Sequence, residues 1–396
     1  MQRTLYDADH DSYRDMVREF VAREVEPNVA RWDADRLIDR QVWRAAGKQG
    51  VIGLAVPEEL GGAGQPDMRY RLVIGEELAT VGAAALQSGF GVQEDIVVPY
   101  LRHLGTPEQQ RRWLPGMAAG ETIAAIAMTE PGAGSDLRGL RTTAVRDGDE
   151  WVINGQKTFI SSGITADLIV VAARTDPDAG AKSPGRDGGG SVLSLFVVER
   201  GTPGFRRGRK LDKIGLHAQD TAELFFDDAR VPASNLLGER GHGLAHLMAN
   251  LPVERLGIAI TAITVSDAVL AETTRYCFDR TAFGQPIGDF QHTRFTLAEM
   301  ATELDVTRAY VDNAITAFNA GTLTAVDAAK VKWWTTELQK RVVDRCLQLH
   351  GGYGYMMEYP VGRAYIDARV QTIYGGTTEI MKEIIGRDIA KSARHT

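Results

Sequence analysis

The sequence predicts an α+β protein in which a helical region, a β region and a second helical region follow one another. Apolar residues repeat with the helical period before residue 120 and after Pro232, and with a period near two between them. A chain of 396 residues is also too long for one simple core. We therefore expect an N-terminal α-helical domain over 1–123, a middle antiparallel β domain over 124–235 and a C-terminal helical bundle over 236–396.

The N-terminal region reads as helix over 9–50, where Tyr13, Met16, Val17 and Phe20 recur at helical spacing among charged residues. Helix returns over 67–120 with an interruption at 105–108. Thr106 is a suitable N-cap there, because Pro107 follows it in the first turn. The sequence therefore predicts a new helix that begins directly after Thr106.

The β region shows short alternating runs separated by turn residues. Asp147-Gly148 and Asn154-Gly155 each lie between two such runs, and both dipeptides favour tight hairpins. Further strands are expected over 168–173, 191–198 and 221–226, which makes a sandwich or barrel. The Gly- and Pro-rich stretch 176–190 predicts a solvated, mobile loop, with a ligand lid as the alternative. After Val231-Pro232, helical runs over 242–278, 290–319 and 324–350 suit an antiparallel bundle.

Composition excludes several functional classes. The net charge of -7 disfavours general nucleic-acid binding, which requires neutralisation of phosphates. The most apolar stretch, 256–265, is shorter than the roughly 18 residues that a membrane span needs, so no span is expected. Cys277 and Cys346 have no metal-ligand spacing, so no metal site is expected. Two reduced cysteines and an N-terminus without an apolar signal core predict a cytoplasmic protein.

The stretch 127–139, AMTEPGAGSDLRG, precedes the alternating runs. Its glycines and Pro131 favour a tight loop that exposes backbone N–H groups and the hydroxyls of Thr129 and Ser135. Such a concave array suits a carbonyl-rich ring or a phosphate. The alternative is a plain linker between domains. A Rossmann turn is a poor interpretation, because the GxGxxG spacing is absent.

These thirteen residues match, position by position, the first signature of the acyl-CoA dehydrogenase family. The stretch QLHGGYGY at 348–355, continued by Glu358, Arg363 and Asp367, matches the second. The chain therefore resembles that family along nearly its whole length. The resemblance implies the family fold, with a four-helix bundle as its C-terminal part. It also implies FAD as cofactor and removal of a proton and a hydride from neighbouring carbons of an acyl thioester.

The resemblance also implies which residues contact FAD. Met128, Thr129, Gly134 and Ser135 align with the loop that touches the flavin ring. The other aligned positions are Phe159, Ile160, Ser161, Arg280, Phe283, Gln291, Gln348, Gly351, Gly352, Thr377 and Glu379. Phe159 stands where many members have Trp, and Ser161 where Thr is common. The positions from Arg280 to Gly352 align with residues that hold the FAD of a neighbouring subunit.

The catalytic base departs from the commonest pattern of the family. Many members carry a glutamate after a tyrosine, but here Gly375 follows Tyr374. The long-chain-type and isovaleryl-type branches instead supply it from an earlier helix, at a Glu-Arg pair that matches Glu254 and Arg255. The resemblance therefore assigns the base to Glu254, with Glu379 as a weaker alternative.

The remaining implications concern substrate and partners. Ser135, Arg255, Gly375 and Gly376 align with substrate-binding positions, and the Gly375 N–H is placed to donate to the thioester carbonyl. Residues around 80–100 are expected to shape the acyl pocket. The expected substrate is an acyl-CoA or an acyl-carrier-protein thioester, and the expected electron acceptor is an electron-transfer flavoprotein. The expected assembly is a homotetramer built as a dimer of dimers.

Alternatives on the same fold are a biosynthetic carrier-protein-linked dehydrogenase, a flavin monooxygenase and a non-enzymatic, nucleic-acid-associated relative. Monooxygenases of this fold generally lack the carboxylate, so Glu254 argues against that class. A nucleic-acid-associated relative would need a basic C-terminal region, which the net charge of -7 disfavours. The sequence leaves the acyl chain length open.

Overall fold

A computed structural model describes residues 3–175 and 192–394. Its N-terminal part is helical, as predicted. The helices are α1 (Ala8–Phe20), α2 (Val29–Asp35), α3 (Arg40–Lys48), α4 (Met68–Thr80), α5 (Ala84–Gly91), α6 (Val98–Leu104) and α7 (Pro107–Ala118). Thr106 caps α7 in a reciprocal capping box with Gln109, so the predicted helix start is confirmed. Between α5 and α6 the chain forms a π-helical segment, Val92–Val97.

The β region of the described chain forms one eight-stranded sheet. Its strands are β1 (Ala124–Ala127), β2 (Thr143–Asp147), β3 (Glu150–Ser161), β4 (Leu168–Thr175), β5 (Val192–Glu199), β6 (Phe205–Lys210), β7 (Thr221–Pro232) and β8 (Leu236–Leu237). The order is β6-β7-β3-β2-β4-β5-β8, and β1 also pairs with β4. The sheet is mixed and not purely antiparallel, because β4 pairs in parallel with both β1 and β2. The predicted loop 176–190 lies outside the described residues.

One of the two predicted hairpins is wrong. Asp147-Gly148 does lie at the turn between β2 and β3. Asn154-Gly155 instead lies inside β3, at a shift in its register with β7. The Asn154 side chain and Asp228 exchange two hydrogen bonds across this bulge (2.8 and 2.9 Å). Gly155 is required there, because a Cβ would lie 2.4 Å from Thr142 Oγ1.

The C-terminal part is a bundle of long helices. They are α8 (Gly243–Asp279), α9 (Gln291–Asn319), α10 (Ala325–His350), α11 (Pro360–Ala368) and α12 (Thr378–Ser392), with the small hairpin β9 (Thr281–Ala282) and β10 (Gln285–Pro286) between α8 and α9. Leu256 and Ile260 of α8 share one core cluster with Leu72 of α4, Met300 of α9 and Leu338 of α10. Helix α8 is therefore the central element that joins the two helical parts.

Helix α8 has the length and composition of a membrane span, although the sequence predicts none. Its apolar window is 67% buried inside the folded chain. Helices that pack on several sides in a protein core are apolar around most of their circumference for the same reason. The apolar character of α8 is therefore accounted for by its central position between α4, α9 and α10.

Candidate active site

Glu254 lies in the first third of α8 and is only 4% exposed. Its Oε1 accepts hydrogen bonds from the Tyr100 hydroxyl on α6 and from Asn250 Nδ2, one turn earlier on α8 (both 3.1 Å). A helix places residues i and i+4 on one face, so Asn250 is positioned by the same backbone that carries Glu254. The carboxylate is thus fixed in direction by two donors from two elements.

The environment of Glu254 changes its proton affinity. Burial raises its pKa to about 7, and the hydrogen bonds from Asn250 and Tyr100 oppose that rise in part. The neighbouring Arg255 guanidinium also favours the ionised form. A carboxylate with a pKa close to neutrality is a stronger base than a solvated one and is still ionised in much of the protein at neutral pH.

Arg255 joins α8 to the glycine turn that precedes α12. Its Nε donates to the Gly375 carbonyl oxygen (3.3 Å), and the buried Lys332 Nζ of α10 donates to the next carbonyl, that of Gly376 (2.8 Å). Burial lowers the pKa of Lys332 to about 8. Two cations therefore hold consecutive peptide groups of this turn, and they fix it beside the helix that carries Glu254.

The glycine turn itself has a backbone that disfavours larger residues. Gly375 and Gly376 have φ values of 63° and 97°, which lie in the region that glycine alone adopts readily. A Cβ on Gly375 would lie 2.3 Å from Ile258 Cδ1, one turn beyond Glu254. Gly375 therefore packs directly against α8, and a glutamate at 375 would require both strained backbone and displacement of Ile258.

The loop after β1 is anchored by a buried ion pair. Lys157 Nζ on β3 donates to Glu130 Oε1 (2.8 Å) and to the Met128 carbonyl (3.0 Å). The same Glu130 carboxylate accepts the backbone N–H groups of Arg141 and Thr142 (2.6 and 2.9 Å). Every oxygen of Glu130 is thus used, and the loop that carries the predicted flavin contacts is fixed against the sheet.

Two of the three glycines of that loop leave open space. A Cβ on Gly132 or Gly134 would meet no atom within 4 Å. Thr129 and Met128 are half-buried beside them, and Ser135 is exposed. The Thr129 carbonyl accepts the Thr158 N–H of β3 (2.9 Å). The loop therefore leaves open space beside Gly132 and Gly134.

Phe159 lies at a second bulge of β3, where the register with β7 shifts between Lys157 and Ile160. Its φ is 58° and its side chain is 68% exposed, whereas Ile160 is buried and Ser161 is half-buried. The bulge turns a large aromatic side chain outward at an energetic cost. An aromatic ring held in this way fits the predicted role of covering a flat, apolar ligand.

The predicted contacts to a neighbouring subunit lie together on the outer surface of the bundle. Arg280 follows α8, and its guanidinium lies over the Tyr353 ring, 5.7 Å from the centroid. Gln348, Gly351 and Gly352 at the end of α10 are exposed and lie in the same segment as Tyr353. Phe283, at the tip of the β9–β10 hairpin, is 97% exposed with a φ of 55°. Gln291 begins α9 and is exposed.

Thr377 and Glu379 lie at the start of α12. Thr377 is its N-cap and accepts the Ile380 N–H (3.3 Å). Glu379 is exposed, and hydrogen bonding within this first turn lowers its pKa. An exposed carboxylate with a lowered pKa is a weak base, so the environment favours Glu254 over Glu379.

A cavity of about 440 Å³ leads from the surroundings of Glu254 toward the surface. Tyr100 and Asn250, the two donors to Glu254, line it, together with Val253 on α8. Residues of α4, α6, the loop 54–68, the π-helical segment 92–97 and the α9–α10 connection also contribute to its wall. The cavity is mostly apolar, which is the character of a site for a flexible hydrocarbon ligand.

Sequence reasoning missed several residues of this site. Asn250 could have been found from its i,i+4 spacing to Glu254. Tyr100 lies 154 positions from Glu254 in the chain, and no local pattern marks it. Lys157 and Lys332 read as ordinary strand and helix lysines, because burial cannot be judged from one sequence.

The fold and the site together define a helical–β–helical protein with an open glycine-containing loop after β1 and a buried glutamate of raised pKa on a central helix. Three family models match this chain: acyl-CoA dehydrogenase N-terminal domain over residues 7–121, middle domain over 125–229 and C-terminal domain over 241–390. The chain belongs to the acyl-CoA dehydrogenase family, whose members are FAD-dependent oxidoreductases that act on CH–CH groups.

Individual relatives support the same family assignment. The pig long-chain specific acyl-CoA dehydrogenase, mitochondrial, is 46% identical over 387 residues, which cover 98% of this chain and 88% of that protein. The crystal structure of an acyl-CoA dehydrogenase from Geobacillus kaustophilus has a TM-score of 0.91 and 49% identity and covers 97% of this chain and 98% of its own. A glutaryl-CoA dehydrogenase from Mycobacterium smegmatis in complex with FADH2 has a TM-score of 0.89 and 29% identity, with coverage of 97% and 95%.

Proposed function

We propose that this protein oxidises an acyl-CoA thioester to the trans-2-enoyl-CoA and that Glu254 removes the α-proton. The observation that carries the proposal is the buried Glu254 carboxylate, whose pKa is raised to about 7 while two fixed donors set its direction. The family resemblance supplies the reaction, and this carboxylate supplies the base that Gly375 cannot provide.

The residues around Glu254 have separate tasks in this proposal. Tyr100 and Asn250 hold the carboxylate, so that little reorganisation is needed when it takes the proton. Arg255 and Lys332 fix the glycine turn, which leaves the Gly375 N–H as a donor for the thioester carbonyl. Polarising that carbonyl acidifies the α-carbon, because the developing negative charge moves onto oxygen.

FAD, when bound, supplies the acceptor for the β-hydride. The residues of the chain fit such a cofactor: Gly132 and Gly134 leave room above the sheet, and the exposed Phe159 offers an aromatic cover. In this proposal Met128, Thr129, Gly134, Ser135, Phe159, Ile160 and Ser161 hold the flavin end. Thr377 and Glu379 are further contacts. Arg280 suits the diphosphate because its guanidinium presents a fork of donors.

Two further proposals concern assembly and electron transfer. The exposed cluster of Arg280, Phe283, Gln348, Gly351 and Gly352 supports a homotetramer in which each subunit completes the FAD site of its neighbour. Size-exclusion chromatography with light scattering tests it: the expected mass is four times 43.2 kDa, and a monomer with full FAD affinity would contradict it. We also propose an electron-transfer flavoprotein as acceptor; the cytoplasmic location stays a prediction.

We propose a long acyl chain, because the apolar cavity beside Glu254 is large and the similar pig protein is named for long-chain substrates. Anaerobic mixing of the purified flavoprotein with acyl-CoAs of different length and branching tests this proposal by the loss of the oxidised flavin spectrum. Carrier-protein thioesters belong in the same panel. We expect bleaching by long-chain CoA thioesters and its absence in Glu254→Gln.

Glu94→Gln is a matched control for that variant. Glu94 is also buried, and burial also raises its pKa to about 7, but it accepts the N–H groups of Gly53 and Leu54 and makes no hydrogen bond to Glu254. Because Glu94 lines the cavity, its replacement changes the affinity for acyl-CoA but leaves the base in place, so the control should still bleach fully at saturating acyl-CoA. Equal bleaching of the wild type and Glu254→Gln would remove Glu254 from the reaction.

A further inference from the structure

The charged groups that line the 440 Å³ cavity are partnered, with one exception among the arginines and acids. Asp95 pairs with Arg71 at 2.8 Å, and Asp67 pairs with Arg69 at 2.6 Å. Glu94 accepts two backbone N–H groups. Each of these side chains therefore has a partner within the protein, and among them Glu94 alone keeps an unpartnered oxygen, Oε1, on a carboxyl whose pKa burial raises.

Arg102 is the exception. It lies near the C-terminal end of α6, two residues after Tyr100, and it lines the same cavity. Over residues 3–175 and 192–394, its guanidinium has no carboxylate or carbonyl partner, and burial alone lowers its pKa. A half-buried guanidinium has lost part of its hydration, and without an acceptor that loss is not compensated.

Two imidazoles lie in the cavity wall with Arg102. His103 follows it on α6 and His246 faces the cavity from α8. Burial and the charge of Arg102 both lower the pKa of His103. The inner end of the cavity, at Tyr100 and Asn250, is buried, whereas Arg102 is half-exposed and His103 is exposed. The cavity thus runs from the candidate base to an unpaired cation at its rim.

We propose that Arg102 binds an anionic group of the acyl thioester at the outer end of this cavity. This inference rests on the proposed function, because it takes the cavity to hold part of the thioester that Glu254 deprotonates. A guanidinium pairs well with the oxygens of a phosphate or a carboxylate. The anion is either a phosphate of CoA, if the CoA part leaves through this cavity, or a carboxylate at the far end of the acyl chain, if the chain lies there.

The test measures equilibrium binding of three thioesters to the FAD-loaded protein: lauroyl-CoA, S-lauroyl-pantetheine and the CoA monothioester of dodecanedioic acid. Variants are Arg102→Gln, Arg102→Lys and the control Arg111→Gln. Arg111 is an exposed arginine on α7 that pairs with Glu108 and does not line the cavity. Binding by dialysis needs no turnover, so this experiment gives a result even if flavin reduction fails.

If Arg102 holds a CoA phosphate, Arg102→Gln weakens lauroyl-CoA binding about tenfold and leaves S-lauroyl-pantetheine unchanged. If it holds an acyl carboxylate, the loss is confined to the dodecanedioyl thioester. In either case Arg102→Lys keeps part of the affinity, and higher salt reduces the difference. Unchanged binding of all three thioesters in Arg102→Gln overturns the proposal, and so does an equal loss in Arg111→Gln.

Discussion

Replacing Glu254 with Gln should abolish the activity and raise the stability of the protein at high pH. Burial raises the pKa of Glu254 to about 7, whereas a glutamate in an unfolded chain titrates near 4.3. Since the folded state then holds its proton more tightly than the unfolded state, wild-type stability falls as pH rises through this interval. The difference between these pKa values corresponds to about 4 kcal/mol of stability, nearly all of which is lost above pH 7.

Glutamine keeps an acceptor for Tyr100 and Asn250 and carries no charge. The variant should therefore resemble the wild type in stability at pH 5 and exceed it by about 2 to 3 kcal/mol at pH 8. Urea unfolding of both proteins at each pH, with the same excess of FAD, measures the difference. Glu94 and the other titrating groups are present in both proteins. Their contributions to the pH dependence therefore cancel when the free energies of unfolding of the two proteins are subtracted. A variant that is less stable than the wild type at pH 8 would refute a raised pKa at Glu254.

Three further predictions follow from individual contacts. Tyr100→Phe removes a donor to the ionised Glu254 carboxylate. The midpoint in the pH profile of kcat/KM should therefore move above 7, with activity recovering at high pH, and an unchanged midpoint would contradict this. Lys157→Met leaves Glu130 buried without its cation, which should lower the free energy of unfolding by about 3 kcal/mol or more and weaken FAD binding; unfolding and FAD titration measure both. Gly375→Ala should cost about 1 to 3 kcal/mol because of its positive φ, and a thermal melt unchanged from the wild type would exclude that strain.

The order of helical and β regions along the chain could be predicted from periodicity, but the pairing of the strands could not. Thr106 fixes the start of α7 because its cap is a local interaction. Asn154-Gly155 has the composition of a hairpin turn, but its backbone is held in β3 by Asp228, a residue 74 positions away. The parallel partners of β4 likewise depend on chain crossings that no alternating pattern reveals.

The residues of the site likewise divide into those that a local sequence pattern marks and those that only the folded structure brings together. Glu254 and Gly375 were found because each belongs to a short run of residues that marks its place in the family. A raised pKa could be expected for a buried base, but the opposing hydrogen bond from Tyr100 could not, since it depends on the packing of α6 against α8. Arg102 gave no signal at all in the sequence, because an unpaired arginine is recognised only when every neighbouring side chain is known.

The most direct test of the account follows the α-hydrogen alone. A 3-thia-acyl-CoA has sulfur in place of the β-carbon and cannot lose a β-hydride, so exchange of its α-hydrogens with D2O reports proton removal without oxidation. Nuclear magnetic resonance should show exchange with the wild-type flavoprotein and with Glu94→Gln, and none above background with Glu254→Gln. Exchange at the wild-type rate in Glu254→Gln would show that another group removes the proton.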